Sequence, residues 1–133
     1  MSREIFVFGS NLAGRHGKGA ALYAKLHHGA IYGQGFGLQG DSYAIPTKDS
    51  RLNTLSLEAI EVYVQAFRIF TAINPQLIFN ITRIGCGLAG YKDNQIAPMF
   101  IGCSENCNLP EEWKEIIEDS EQEYRDYISQ LFT

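Results

Sequence analysis

The chain lacks the excess of basic residues that is typical of proteins dedicated to nucleic acids or to membrane surfaces. Its 133 residues include 11 Lys and Arg against 15 Asp and Glu, a formal net charge of −4, which argues against both classes. Much of the acid is concentrated between residues 111 and 123. This acidic run is predicted to be the solvated face of a helix rather than a partner-binding patch.

Long apolar runs and paired cysteines are also missing. No stretch approaches the roughly 20 apolar residues that span a bilayer, and the first residues show no signal-peptide pattern. The three cysteines, Cys86, Cys103 and Cys107, are an odd number that is typical of a reducing compartment. Cys103 and Cys107 have the spacing of some metal-ligand pairs, but no second pair accompanies them, so they are expected to be ordinary thiols and no metal site is predicted. We expect a cytoplasmic protein with no membrane partner.

Repeats, linkers and low-complexity segments are absent as well, which predicts one domain over residues 1–133. A hydrophobic content of 45% is sufficient for a core. Segments typical of strands and of helices alternate along the chain, and this order predicts an α/β fold of three layers, α/β/α, around a mixed, largely parallel sheet. The predicted strands are 5–8, 30–32, 43–45 and 77–84, with an irregular glycine-rich connection at 33–40. The predicted helices are 18–28, 57–73, 93–100 and a C-terminal helix that begins at Pro110 and carries an apolar stripe from Trp113 to Leu131.

Two glycine-rich loops, at residues 14–21 and 85–91, each follow a predicted strand and precede a predicted helix. Glycines at such a junction allow backbone N–H groups to approach an anion, and the positive end of the next helix adds to the attraction. In an open parallel sheet, ligands bind at the carboxyl ends of the strands, so both loops together indicate a ligand with two anionic centres, such as a pyrophosphate. The predicted ligand-binding residues are Gly9, Ser10, Asn11, Gly17, Lys18, Gly19, Ala20, Gly85, Cys86, Gly87, Leu88, Ala89, Gly90 and Tyr91.

Several side chains near the first loop have two interpretations. Asn11 either presents its amide to a ribose or a base, or stabilises a turn through its own backbone. His16 and Lys18 are candidate donors to phosphate oxygens, and solvent exposure is the alternative for His16. The pair His27-His28 is expected to mark the C-terminal end of a helix.

Two further residues are candidates for reactive groups. Lys48, just after a predicted strand, is a phosphate contact or a nucleophile on a sugar aldehyde, and the alternative is a surface lysine paired with Asp49. Cys86, flanked by glycines, is a candidate for an activated thiolate, but no obvious base accompanies it in the sequence.

These motifs resemble a known family. Asn11, with the glycine-rich loop and the small-residue helix after it, is similar to the first ligand-binding segment of macrodomains, and residues 84–91 resemble their second, phosphate-binding loop. The likeness is greatest to the branch that contains the terminal ADP-ribose protein glycohydrolase and the bacterial antitoxins that remove ADP-ribose from DNA. That branch combines Thr-Lys after a strand, a long helix, and a strand ending in Arg-Ile-Gly-Cys-Gly-Leu, as found here at Thr47-Lys48 and at 83–88. The match to this branch covers about residues 42–100.

The resemblance implies a macrodomain-like fold that binds ADP-ribose or a related NAD-derived nucleotide as a reader, sensor or sink, with no cofactor. It implies that Asn11 contacts the distal ribose, that the second loop holds the phosphates, and that Tyr91 lies against the sugar. An unrelated nucleotide or an RNA end is a further alternative as ligand.

The same resemblance offers an enzymatic alternative, an ADP-ribosyl glycohydrolase acting on ADP-ribosylated protein or nucleic acid. In that branch a lysine attacks the anomeric carbon, and Lys48 matches it. An aspartate in the second loop completes the chemistry, but Ala89 occupies its place. Asp41, Asp49 and Asp93 are the candidates to replace it, and whether the protein is an enzyme stays open at this point.

Overall fold

A mixed sheet of five strands forms the centre of the protein in a computed structural model, which describes residues 2–133. The strands are β1 (Arg3–Asn11), β2 (Gly37–Gln39), β3 (Ser42–Lys48), β4 (Leu77–Ile81) and β5 (Cys107–Asn108). Their order across the sheet is β2-β3-β1-β4-β5. Only the β2–β3 pair is antiparallel, and the other three pairs are parallel. The predicted α/β class with a mixed, largely parallel sheet is therefore confirmed.

Four α-helices accompany the strands in the described chain, three of them between strands and the fourth after β5. They are α1 (Gly19–His27), α2 (Leu57–Ala72), α3 (Asp93–Ile96) and α4 (Glu111–Gln130), and a short 3₁₀ helix (Ala97–Phe100) follows α3 directly. Within residues 2–133, none of the helices has the length and apolarity that crossing a bilayer requires.

Both faces of β1 are buried, and alternate residues point to different cores. Ile5 and Val7 belong to the larger core, which includes Phe67 of α2, whereas Phe8 belongs to a smaller core with Ala24 of α1. All five side chains are fully buried. Because successive side chains of a strand project to opposite faces, α1 and α2 cover opposite sides of the sheet. This arrangement leaves the carboxyl ends of β1 and β4 free to line a site.

The prediction of a strand at 30–32 is wrong. The N–H of Ala30 donates to the carbonyl of Ala24 at 3.2 Å, which ties this segment to the end of α1. The N–H of Gly33 then donates to the carbonyl of Gly14 at 2.8 Å, so the chain turns here instead of joining the sheet. The connection at 33–40 contains the short strand β2, which the glycine-rich sequence did not indicate.

Strand β4 and helix α3 are shorter than predicted. β4 ends at Ile81. The N–H and the hydroxyl of Thr82 still donate to the carbonyl of Val7, at 3.1 and 2.7 Å, and the chain then turns at 82–84, where the N–H of Ile84 donates to the carbonyl of Thr82 at 2.8 Å. The predicted helix at 93–100 divides at Ala97, since Pro98 lacks the N–H that a continuing α-helix needs and is tolerated in the first turn of the 3₁₀ helix.

Helix α4 packs on the body of the protein only through its first half. Trp113 and Ile117 are buried, but Tyr124, Tyr127 and Leu131 are each more than 60% exposed. The predicted C-terminal helix is therefore present, but its apolar stripe is mostly exposed beyond Ile117. The acidic run at 111–123 is mostly exposed, as expected of a solvated face.

Candidate functional site

A cavity of about 550 Å³ opens at the carboxyl ends of β1, β3 and β4. Cavities of this size hold small organic ligands. Most of the residues that the sequence indicated line it: Gly9, Ser10, Asn11, Gly17, Lys18, Gly19, Ala20, Lys48, Gly85, Gly87, Leu88 and Ala89. Three indicated residues do not line it, namely Cys86, Gly90 and Tyr91. The structure thus brings the two glycine-rich loops and Lys48 together around one cavity.

The N-terminus of α1 offers uncapped backbone donors to this cavity. The first helical hydrogen bond runs from the N–H of Leu22 to the carbonyl of Lys18 at 3.2 Å. The N–H groups of Gly19, Ala20 and Ala21 therefore precede the hydrogen-bonded turns, and among the described residues no side chain caps the helix. Such free N–H groups, with the positive end of the helix dipole, attract an anion.

The second loop presents a similar set of donors from the opposite wall. It is closed by two backbone hydrogen bonds, from Gly90 to the carbonyl of Gly87 at 3.1 Å and from Tyr91 to that of Gly85 at 2.9 Å. Between these bonds, the N–H groups of residues 87–89 have no acceptor anywhere in residues 2–133. Gly85 has a φ of +75°, a conformation in which glycine is favoured. Consecutive free N–H groups of this kind form anion-binding concavities.

The cavity is positively charged. Arg15, Lys18, Lys48 and Arg83 all line it, and no aspartate or glutamate is among the described residues that do so. Arg83 is neutralised by Asp93, but the other three side chains make no ion pair within the described chain. Like charges held together around a partly enclosed space raise the local concentration of an anionic ligand.

Lys48 is not paired with Asp49, which was the alternative interpretation of its sequence context. One carboxylate oxygen of Asp49 accepts hydrogen bonds from the backbone N–H groups of Arg51 and Asn53, at 2.8 and 2.9 Å. These bonds, that from Asn53 foremost, lower the pKa of Asp49. The aspartate therefore stabilises the turn after Lys48 and leaves the ammonium group without a counter-charge.

Asn11 stabilises the first loop through its backbone. Its side-chain oxygen accepts from the N–H of Arg15 at 2.9 Å, and its side-chain nitrogen donates to the Arg15 carbonyl at 3.0 Å. Of the two interpretations of Asn11, the structure shows the turn. The side chain is 7% exposed and still belongs to the lining of the cavity.

Both interpretations of His16, phosphate donor and solvent-exposed residue, are wrong. The side chain is fully buried. Its Nε2 lies 3.0 Å from the carbonyl of Gln34 and 3.1 Å from Oε1 of Gln39, and its ring meets Phe8 edge-on. Since both polar neighbours are acceptors, Nε2 is the protonated nitrogen, and His16 fastens the first loop to the 33–40 connection.

Cys86 and Tyr91 support the second loop from behind. Burial, followed by the neighbouring charge of Asp93, raises the pKa of the Cys86 thiol to about 12, which argues against an activated thiolate. The hydroxyl of Tyr91 donates to the carbonyl of Leu55 at 2.7 Å, and the ring packs against the larger core. In this structure Tyr91 is an anchor of the loop and not part of the cavity wall.

None of the three aspartates considered as partners of Lys48 lines the cavity. Asp41 pairs with Arg3 at 2.6 Å, Asp49 stabilises its own turn, and Asp93 pairs with Arg83 at 2.7 Å. Within residues 2–133, the cavity therefore combines a lysine with no carboxylate, histidine or tyrosine that would exchange protons with a substrate.

Seven residues of the cavity wall were not among the predicted ligand-binding residues, although three of them, Thr47, Arg83 and Ile84, belong to the motifs that carry the family resemblance. The seven are Arg15, Ala21, Thr47, Leu52, Thr82, Arg83 and Ile84. Arg15 lies within the first glycine-rich loop, so its position was a usable signal. Leu52 had none. It reaches the cavity because the turn after Lys48 folds back, and it adopts a φ of +66°.

Comparisons with known proteins identify no relative: no family model, curated protein or solved structure matches the chain.

Proposed function

We propose that the protein binds ADP-ribose or a related NAD-derived nucleotide, with the pyrophosphate between the two glycine-rich loops. One observation carries the proposal: two separate groups of unpaired backbone N–H groups, at the start of α1 and at residues 87–89, line the same cavity. A single phosphate needs one such group, whereas two linked phosphates make use of both. The unpaired side chains of Arg15, Lys18 and Lys48 add positive charge.

The fold supports the same proposal. Helices cover both faces of the sheet, and the cavity lies at the carboxyl ends of its parallel strands, where α/β proteins bind nucleotides. With the resemblance of residues 11–20 and 84–91 to macrodomain loops, we interpret the architecture as a three-layer macrodomain-like domain. Its ligand then acts as a signal that the protein reads, senses or sequesters.

The composition of the cavity favours binding over turnover. Cleavage of a glycosidic bond requires groups that move protons or stabilise the sugar cation, and the described residues of the cavity wall include no carboxylate, histidine or tyrosine. Hydrolysis of ADP-ribose linkages is nevertheless a second candidate function, because Lys48 lines the cavity and has no counter-ion in the described chain.

Isothermal titration calorimetry tests the binding proposal directly. We expect micromolar affinity for ADP-ribose and weaker binding of AMP, which has one phosphate and no distal ribose. Lys18→Gln removes a charge from the cavity wall and is expected to weaken ADP-ribose binding about tenfold. Lys25→Gln is the matched control, since Lys25 is exposed on the same helix and does not line the cavity. Absence of binding to ADP-ribose, AMP and NAD alike would refute the proposal.

A turnover assay separates the two candidate functions. The protein is incubated with ADP-ribosylated protein and with ADP-ribosylated DNA, and released ADP-ribose is measured. A pure binding protein releases none beyond the uncatalysed background. If release occurs, Lys48→Ala is expected to abolish it while calorimetric binding is largely retained; release by the variant at the wild-type rate would exclude Lys48 from the reaction.

A further inference from the structure

Two cysteines that do not line the cavity lie in direct contact. The sulfur atoms of Cys103 and Cys107 are 2.9 Å apart, whereas a disulfide bond is about 2.05 Å long. Both are free thiols here and both are only partly buried.

The backbone holds the two cysteines in this relationship. The N–H of Cys107 donates to the carbonyl of Ser104 at 3.0 Å, which closes a tight turn between them. Asn106, inside the turn, accepts from the N–H of Phe79 at 2.8 Å through its carbonyl. Its side-chain nitrogen lies 3.0 Å from each of three carbonyl oxygens, those of Thr71, Asn74 and Leu77. These hydrogen bonds fix the turn, and the turn keeps the two sulfur atoms in contact.

The surroundings favour negative charge on Cys103. The thiol of Cys107, the backbone N–H of Ser104 and the guanidinium of Arg68 lower the pKa of Cys103, and the shared hydrogen bond together with burial raises that of Cys107. Arg68 makes no ion pair in the described chain, and its buried Nε has no hydrogen-bond partner there. Because the thiolate is the nucleophile in thiol–disulfide exchange, Cys103 is the sulfur that attacks first.

Disulfide formation suits this pair better than metal binding. Structural metal sites of the zinc type use four protein ligands, and within residues 2–133 no three His, Cys, Asp or Glu side chains gather around a common point. Two sulfurs in contact, with one polarised as a nucleophile, are instead the arrangement of a reactive dithiol.

We propose that Cys103 and Cys107 form a redox-active dithiol, which a low-molecular-weight disulfide oxidises to an intramolecular disulfide. The Cys103 thiolate attacks one sulfur of the small disulfide, forms a mixed disulfide and expels a thiolate, which takes the proton of Cys107. The Cys107 thiolate then attacks the Cys103 sulfur and expels the second small thiolate, which takes up the proton that Cys103 released when it ionised. Two protein thiols lose their hydrogens, and one small disulfide becomes two small thiols. The new bond joins β5 to the turn that follows the 3₁₀ helix, and neither cysteine belongs to the cavity wall.

Incubation of the native protein with oxidised glutathione tests this proposal. After oxidation the protein is denatured, and we then expect two of the three thiols to be lost to a thiol-titrating reagent and peptide mass spectrometry to recover a Cys103–Cys107 cross-link, with Cys86 still alkylatable. Cys86→Ser is the control and should form the same cross-link. Three titratable thiols after oxidation, a cross-link that includes Cys86, or a glutathione adduct that persists on the native protein would each overturn the proposal.

Two single variants test the order of attack. Cys107→Ser removes the second thiol, so the glutathione adduct on Cys103 should accumulate. Cys103→Ser leaves Cys107, whose pKa burial still raises and which lacks the influence of Arg68 that lowers the pKa of Cys103, so its adduct should form more slowly. Equal rates in the two variants would overturn the assignment of Cys103 as the attacking residue, and the native-protein experiment decides the dithiol even if a variant folds poorly.

Discussion

The guanidinium of Arg83 holds both carboxylate oxygens of Asp93, through hydrogen bonds of 2.9 and 2.7 Å. One of these oxygens also accepts from the indole N–H of Trp113 at 2.7 Å. A single carboxylate thereby links the end of the β4 segment, the start of α3 and the buried tryptophan of α4. The pair also cancels the charge of Arg83, so that Arg15, Lys18 and Lys48 are the cations left for a ligand.

Replacing Asp93 should make the protein less stable at neutral pH and less sensitive to acid. Arg83, followed by Trp113, lowers the pKa of Asp93 to about 2, against about 3.9 in an unfolded chain. Since the folded pKa is the lower one, this stabilisation is complete above about pH 4 and is lost as the pH falls towards 2. We expect Asp93→Asn to cost about 1–2 kcal/mol at pH 7 and nearly nothing at about pH 2. Urea unfolding at pH 7, 4 and 2.5 measures the difference, and a gap that does not change with pH would contradict the assignment.

Gly14 should tolerate no side chain. It has a φ of +70°, and a Cβ built on it would lie 2.4 Å from the backbone of Gln34 and Gly33. Neither atom belongs to a flexible side chain, so the loop itself would have to move. We expect Gly14→Ala to lower the free energy of unfolding by at least about 2 kcal/mol. Gly17→Ala is the matched control in the same loop, because its Cβ would meet nothing within 4 Å and its backbone conformation suits alanine. Equal stability of the two variants in denaturant titrations would show that the loop is not packed as described.

The strands and helices that the sequence predicted correctly are those in which the apolar pattern alone decides the outcome. β1 is a continuous apolar run because both of its faces are buried, and α2 follows a helical period between a serine cap, which accepts from the N–H of Ala59, and Asn74. The errors occur where long-range contacts prevail over local pattern. Ile31 and Tyr32 have residues typical of a strand, but hydrogen bonds to α1 and to Gly14 hold that segment as a turn.

The candidate site was partly predictable for a similar reason. Glycines at a strand-to-helix junction reveal where a backbone approaches a ligand, and both loops do line the cavity. Sequence does not show the direction in which a side chain points. Cys86 and Tyr91 lie inside the second glycine-rich loop, yet they face the core behind it, while His16 turns inward to two acceptors 18 and 23 residues away in the chain.

Leu52 has a strained backbone, and we predict that its side chain contributes to ligand binding in the cavity. It is the one described non-glycine residue with a positive φ, +66°, and its side chain is 47% exposed at the cavity wall. Leu52→Gly relieves the strain and should leave the free energy of unfolding equal or raise it by up to about 1 kcal/mol. Leu52→Ala keeps the strain and removes the same apolar contact. Both variants should bind ADP-ribose more weakly than the native protein, whereas unchanged affinity in both would show that Leu52 has no part in binding.

Cys86 should react slowly, despite its position between two glycines of a loop at the cavity. Its pKa is raised to about 12, first by burial and then by the carboxylate of Asp93, so very little thiolate is present near pH 8. Because the thiolate is the reactive form, we expect iodoacetamide to alkylate Cys86 on the order of a hundredfold more slowly than it alkylates glutathione. The measurement uses the double variant Cys103→Ser/Cys107→Ser, in which Cys86 is the remaining thiol, with mass spectrometry at successive times.

Adding Asp93→Asn removes the negative charge beside the Cys86 sulfur and should raise the rate of alkylation, since the second cause of the raised pKa is gone. A native-like Cys86 that reacts as fast as glutathione would mean that the thiol faces the solvent, and the second loop would then have a different arrangement from the one described.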